Sequence, residues 1–336
     1  MRRVAVVCVV VLVLWAARYP VAQEPGSTAG DLVSTWTLIS VERGVAGEKP
    51  ERIPNPRGLL IMDSVGHAFE FFTTASRQAP ETPQVDPLAM FNAYGGFWGG
   101  YRVDAAQKRL TFKAQGAIST AMQGREFSRS FEQEGNRLTM TSIDELHAQG
   151  GTRWTWQRVP TIDHLSPFYR QTVGFWEHVV ERRVNVSTGA LVSENKRAPS
   201  VIVYTPGGFV GVHFPTLNRK PFAGDNPTAD EARAALQGYL GYYGALTVYP
   251  GEVFHNILGG VSPGAGTILR RYADIKDNEL TVRLTPTANQ QVQTQTIVVL
   301  RRLSGADEML PRGTVGSKKS TVCSRQKNRL PPTSYW

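Results

Sequence analysis

Cysteine is nearly absent: the 336 residues hold two, Cys8 and Cys323. Cys8 lies in an apolar stretch beside the N-terminus, so a chain trimmed there keeps only Cys323, which excludes an intramolecular disulfide and any cysteine-based metal site. Long hydrophobic runs are scarce as well. Val4–Ala17 is the one extended apolar stretch, and nothing later approaches the roughly 20 residues that a membrane helix needs. No G-x-S-x-G elbow is present, which removes support for a hydrolase triad. No glycine loop lies between a strand and a helix to cradle phosphate. Neither of the two histidines of interest, His213 and His255, has a third ligand at metal-site spacing, so no metal and no cofactor is expected. The formal charge of +9 is held mostly at the two ends, by Arg2, Arg3 and Arg18 and by six basic residues after Ser304. The body between is only slightly basic, with no stripe to track phosphates, so nucleic acid is not an expected partner.

Arg2 and Arg3, the apolar run and the small residues around Ala22 have the layout of a secretory signal peptide over residues 1–22. A secreted or periplasmic protein follows, with no stable membrane insertion after cleavage; an uncleaved anchor is the rival reading. Residues 305–336 have little apolar content or periodicity and read as a basic, disordered tail. Asn185-Val186-Ser187 is a formal glycosylation sequon.

What the chain does contain, it says twice. STWTLISVER, with Trp36, returns as GFWEHVVERR, with Trp176. The strand-like run ending at Arg77 returns ending at Arg219, AYGGFWGGYRV around Tyr94 returns around Tyr239, Leu138 returns as Leu280, and Arg158 as Arg302. The separations are 140, 142, 145, 142 and 144 residues, in unbroken order. That period is a domain, not a solenoid repeat. Each copy consists of short runs rich in β-branched and aromatic residues between Gly, Asn and Asp turns, roughly eight strands in all, which predicts an antiparallel barrel or sandwich. One helix interrupts each copy at the same place. Thr228 with Glu231 forms a capping box before DEARAALQGYLGYY, and Asp86 with Pro87 opens the helix of the first copy. Residues 161–172 read as linker.

In a closed antiparallel barrel the first and last strands are neighbours. Arg158 is then expected across Trp36, and Arg302 across Trp176, as a structural brace at one end of each barrel.

These residues carry a resemblance. Gly174-Phe175-Trp176 is similar to the G-x-W opening of lipocalins. More specifically, each copy resembles the bacterial lipocalin-like domain family through Ser34–Glu42, Tyr204–Phe209, Tyr239–Gly244, His255-Asn256-Ile257 and Gly266 followed by Arg270 and Arg271. The resemblance covers residues 30–160 and 172–304 and implies a mainly β fold: two tandem eight-stranded antiparallel lipocalin-like (calycin-type) barrels, each with one inserted helix. The first copy departs from the pattern at Ser34 and at Phe112, where the second has His255; the second departs at Arg182, where the first has Glu42.

An eight-stranded barrel is either filled by side chains or holds one small ligand. Alternation puts Phe209, Gly211 and His213 on one face. Gly211 leaves that face open where the first copy has Phe69, and Glu70, on the opposite face, is expected in solvent. His255 shares its face with aliphatics, Ile257 among them. His213 and His255 are expected to point into one apolar cup, with Tyr239 and Tyr242 from the helix near its mouth and Arg219 as brace or anchor. Such a cup would bind the polar tip of a small apolar molecule. The leading reading is therefore a binding or carrier protein. Two others stay open: a cyclase- or isomerase-like enzyme with His255 and His213 as acid and base, and a structural protein with filled barrels.

Overall fold

A computed structural model of the chain describes residues 29–44, 49–74, 86–143, 151–224, 226–288 and 293–304. The expected signal peptide, the tail and Arg77 lie outside the described residues. Among the described residues, no helix is long and apolar enough to cross a membrane.

The first copy runs α1 (Ala29–Leu32), β1 (Ser34–Arg43), β2 (Glu51–Arg52), β3 (Arg57–Met62), β4 (His67–Thr73), α2 (Pro87–Asn92), β5 (Tyr94–Asp104), β6 (Arg109–Ala117), β7 (Glu126–Glu134), β8 (Arg137–Ser142) and β9 (Thr152–Arg158). The second runs α3 (Pro167–Thr172), β10 (Gly174–Asn185), β11 (Leu191–Asn195), β12 (Val201–Tyr204), β13 (Phe209–Pro215), α4 (Ala229–Gln237), β14 (Tyr239–Tyr249), β15 (Glu252–Ser262), β16 (Ile268–Lys276), β17 (Glu279–Leu284), β18 (Thr287–Ala288) and β19 (Gln293–Arg302). Eight strands close each ring, through β1 on β9 and β10 on β19, with β2, β11 and β18 appended. The fold is thus mainly β, two closed eight-stranded antiparallel barrels, as expected.

The inserted helices open as their caps dictate. The Asp86 side chain accepts from the Leu88 amide, and Thr228 and Glu231 make a reciprocal capping box. Two corrections apply. Helix α4 ends at Gln237, so Tyr239 and Tyr242 stand on strand β14. The expected linker contains the short helix α3, with α1 its counterpart before the first barrel.

The duplication extends to irregularities. The β1–β9 ladder slips between Leu38 and Ser40 and the β10–β19 ladder between His178 and Val180, the same position in both copies. Gly99 and Gly244 also match, each at a slip in the β5–β6 or β14–β15 ladder. A Cβ at Gly99 would lie 1.9 Å from the Lys113 carbonyl oxygen, and one at Gly244 2.4 Å from that of Asn256. Only glycine lets the strands pass this closely at the bulge.

Three cores result. One fills the first barrel around Trp36, Phe112, Trp154 and Trp156. A second, more aliphatic, lies inside the second barrel around Val212, Val253, Ile257 and Val282. The third lies between the barrels, where Leu59, Ile61, Phe69 and Phe71 of β3 and β4 meet Val201 and Val203 of β12 and Tyr239 and Tyr243 of β14. Helices α2 and α4 pack together over its edge. Strands β4 and β13 are consequently buried on both faces, one toward their own barrel and one toward the other.

A Tyr–His–Tyr group inside the second barrel

At one end of each barrel, arginine and tryptophan close the structure as expected. The guanidinium carbon of Arg158 lies 4.3 Å from the Trp36 ring centroid, and that of Arg302 4.1 Å from Trp176. The same residues hold the short helix across that end. Trp36 Nε1 donates to the Leu32 carbonyl at 3.2 Å and Trp176 Nε1 to that of Thr172 at 2.7 Å. Arg158 donates to Asp31 O, and Arg302 to Gln171 O and Val173 O. The carbonyls at a helix C-terminus lack intrahelical partners and attract cations, which is why an arginine fits there.

Inside the first barrel the space is taken. Glu70 and Arg129 form a bidentate ion pair with side chains only 1% and 6% exposed. The expectation that Glu70 faces solvent is overturned, because Ala68, Glu70 and Phe72 form the inward face of β4. The Arg129 guanidinium carbon lies 4.1 Å from the Trp154 centroid and 5.5–5.9 Å from those of Phe97, Phe112 and Phe127. Carboxylate and aromatic faces together satisfy a cation that the interior would otherwise reject.

The second barrel differs. His255 is fully buried; its Nδ1 lies 2.8 Å from the Tyr242 hydroxyl and its Nε2 3.2 Å from that of Tyr204. Burial, reinforced by the Arg271 cation, pushes the His255 pKa down to about 3 and keeps the ring neutral. Burial likewise raises both tyrosines above their ordinary value. A neutral imidazole has one donor and one acceptor. Whichever nitrogen bears the proton, one tyrosine must donate to the ring and the other must accept from it. The accepting tyrosine keeps its own O–H proton, which meets no partner among the described residues. The group therefore presents one spare hydroxyl donor to the barrel interior.

Tyr242, His255 and Ile257 line this interior. The other residues read as its lining, Phe209, Gly211, His213, Tyr239 and Arg219, do not: they lie between the barrels. His213 donates from Nε2 to the Glu70 carbonyl at 2.9 Å, its ring centroid 4.6 Å from Phe69 and 5.5 Å from Tyr239. Arg219 donates to the Ala117 carbonyl at 2.7 Å and to that of Ile118, a strap across the junction, with its guanidinium carbon 5.2 Å from the Tyr239 centroid. His213 and His255 are thus on opposite sides of the barrel wall, and the shared cup is not formed. Tyr204 was missed, although its Y-x-P-G-G turn stands out in the sequence; its pairing with Val210 places it on the inward set of β12.

No family model and no curated protein matches the chain. Among solved structures, the chain is similar to a protein of unknown function of the DUF3598 family from Nostoc punctiforme, at 8% identity and TM-score 0.22, covering 81% of this chain and 96% of that one. It is similar to a putative outer membrane protein from Bacteroides fragilis at 9% identity and TM-score 0.22, covering 81% and 98%. Transferrin binding protein B from Haemophilus parasuis follows at 6% identity and TM-score 0.22, covering 83% and 77%. The two closed barrels fit a lipocalin-like fold.

Proposed function

We propose that the protein is a lipocalin-like binding or carrier protein, secreted or periplasmic, whose second barrel takes a small apolar molecule with one polar tip. The observation that carries this reading is the Tyr204–His255–Tyr242 group, a buried polar end with a spare donor in an aliphatic barrel. The duplication supports it. At positions that the strand register makes equivalent, Phe112, Phe131 and Trp154 of the filled barrel become His255, Ala273 and Val298. The first barrel then serves as scaffold, bearing its partner through the shared core. The acid–base reading gains less support, since a histidine held neutral down to about pH 3 is a weak base near neutrality. The location rests on the signal-like residues 1–22.

The test is native mass spectrometry of the chain purified without detergent, followed by titration with a neutral apolar dye. A retained apolar adduct or a saturable dye site is expected, with most affinity kept in His255→Phe, which removes the polar tip's partner but preserves the apolar walls. Clean apo mass together with no saturable site would overturn the reading in favour of filled barrels.

A further inference from the structure

Arg271 is the second barrel's copy of Arg129. In the first barrel Leu110 pairs with Arg129, which pairs with Ser142; in the second Val253 pairs with Arg271, which pairs with Leu284. Val253 and, two residues on, Ala273 are both buried in the barrel core, so Arg271 stands on the inward face of β16. The cation is retained, partly exposed where Arg129 is buried, and the residues that hold it in the first barrel are replaced. Glu70 pairs with Phe97 as Val212 pairs with Tyr242, which makes Val212 the successor of the carboxylate. Trp154, whose face covers Arg129, is succeeded by Val298, and Phe127 by Leu269. Arg271 donates from Nη1 to the Arg270 carbonyl at 3.0 Å and meets no carboxylate among the described residues. Glu181, an acid opposite inward Val298 on β10, is already held by Arg197 through two bonds at 2.8 and 3.0 Å.

Resting on the binding-barrel reading, we infer that the ligand is a carboxylate-bearing apolar molecule whose carboxylate takes the place of the missing Glu70 against Arg271. Two features converge on it. The group deleted from the wall is a carboxylate, so what restores the balance has the same charge and the same two-oxygen fork, which a guanidinium matches bidentately. The spare hydroxyl of the Tyr204–His255–Tyr242 group is a donor, which a carboxylate oxygen accepts and a ligand ammonium does not. The apolar remainder of the ligand lies along Val253, Ile257 and Val282.

Isothermal titration calorimetry of the purified chain with dodecanoate and with 1-dodecanol separates charge from apolar burial. Dodecanoate is expected to bind about tenfold or more tightly than the alcohol, as a charge-assisted pair implies. In Arg271→Leu the two should bind alike. In Val212→Glu, which rebuilds the internal pair of the first barrel, dodecanoate should weaken by a similar factor, with the thermal transition of both variants confirming that they fold. Equal binding of acid and alcohol by the unaltered chain, or a preference that survives Arg271→Leu, overturns the carboxylate assignment and leaves the binding barrel standing. No saturable binding of either molecule overturns both.

Discussion

The ring of Phe69 stands where a side chain at Gly211 would be. A Cβ placed at Gly211 would lie 2.4 Å from Phe69 Cζ, and the two residues occupy the same position in the two copies. The barrels meet through equivalent strands, β4 and β13, so identical side chains there would collide. One copy became the knob and the other the hole. Next along each strand, Phe71 faces His213 with 5.7 Å between ring centroids, a second pair of equivalents that diverged at the junction.

Gly211→Val is therefore expected to destabilise the protein by about 1–3 kcal/mol through overpacking, and Phe69→Ala by about 3–5 kcal/mol through the cavity it leaves. Combined, they should cost less than their sum, since the valine enters the emptied space. Denaturant titration of the four proteins gives the coupling; additive effects would contradict the contact.

The pair Glu70–Arg129 gives a second prediction. Glu70→Ala leaves a buried guanidinium without its counter-ion and should cost about 3–5 kcal/mol. Replacing both, as Glu70→Val with Arg129→Met, should recover most of that loss, because an apolar pair needs no compensation. Equilibrium unfolding of the single and double variants tests this, and a double variant no better than the single would show that Arg129 acts mainly through its aromatic contacts.

Much of this architecture was legible because it repeats. The ladder order, the helix caps and the Trp–Arg ends each leave a mark at fixed spacing in both copies. The faces of β4 and β13 were not. Alternation separates Ala68, Glu70 and Phe72 from Phe69 and Phe71, but it does not say which set points inward. A lone barrel would send the aromatics in and the glutamate out; here the outer face is buried by the second barrel, and the glutamate is buried by its arginine. The inverted assignment moved Gly211 and His213 into a cup that belongs to His255 and Tyr242. The reciprocal sizes at 69 and 211 carried the missing information, since a large residue matched by glycine is what a junction between copies requires. Arg271 was visible as the arginine of a family pattern, but its meaning depends on Glu70 and Val212, which only the register brings opposite.

The arginine braces differ in a way that can be measured. Arg302 bonds two carbonyls at the end of α3, those of Gln171 and the capping residue Val173, and stacks on Trp176. Arg302→Leu should cost about 2–3 kcal/mol, the sum of a desolvated cation–π contact and hydrogen bonds. Arg302→Lys should recover only part of this, because an ammonium cannot fork to two carbonyls while lying flat on an indole. Thermal unfolding of the two variants ranks them; equal stability would assign the brace to charge alone.

Acid should loosen the molecule before its carboxylates titrate. Burial pushes His213 and His255 down to about 3, and burial, followed by the Arg197 charge, pushes His178 down to about 4. All three sit below the ordinary value near 6.5, so in the folded state they resist protons that the unfolded chain accepts. Their contribution is fully present above about pH 6.5 and is lost as pH falls from there toward the folded values, with a slope of up to about 1.4 kcal/mol per pH unit for each group. Between about pH 6.5 and 5 most carboxylates stay ionised, so this interval isolates the histidines. His213→Phe takes the residue of the first copy at that position, and His255→Phe does the same. Each should flatten the fall in stability by one histidine's share, and the double variant by two. Urea titrations across this pH range measure the slopes directly; slopes unchanged by either substitution would mean that these rings accept protons in the folded protein, which their enclosure by Phe69 and Tyr239 and by Tyr204 and Tyr242 opposes.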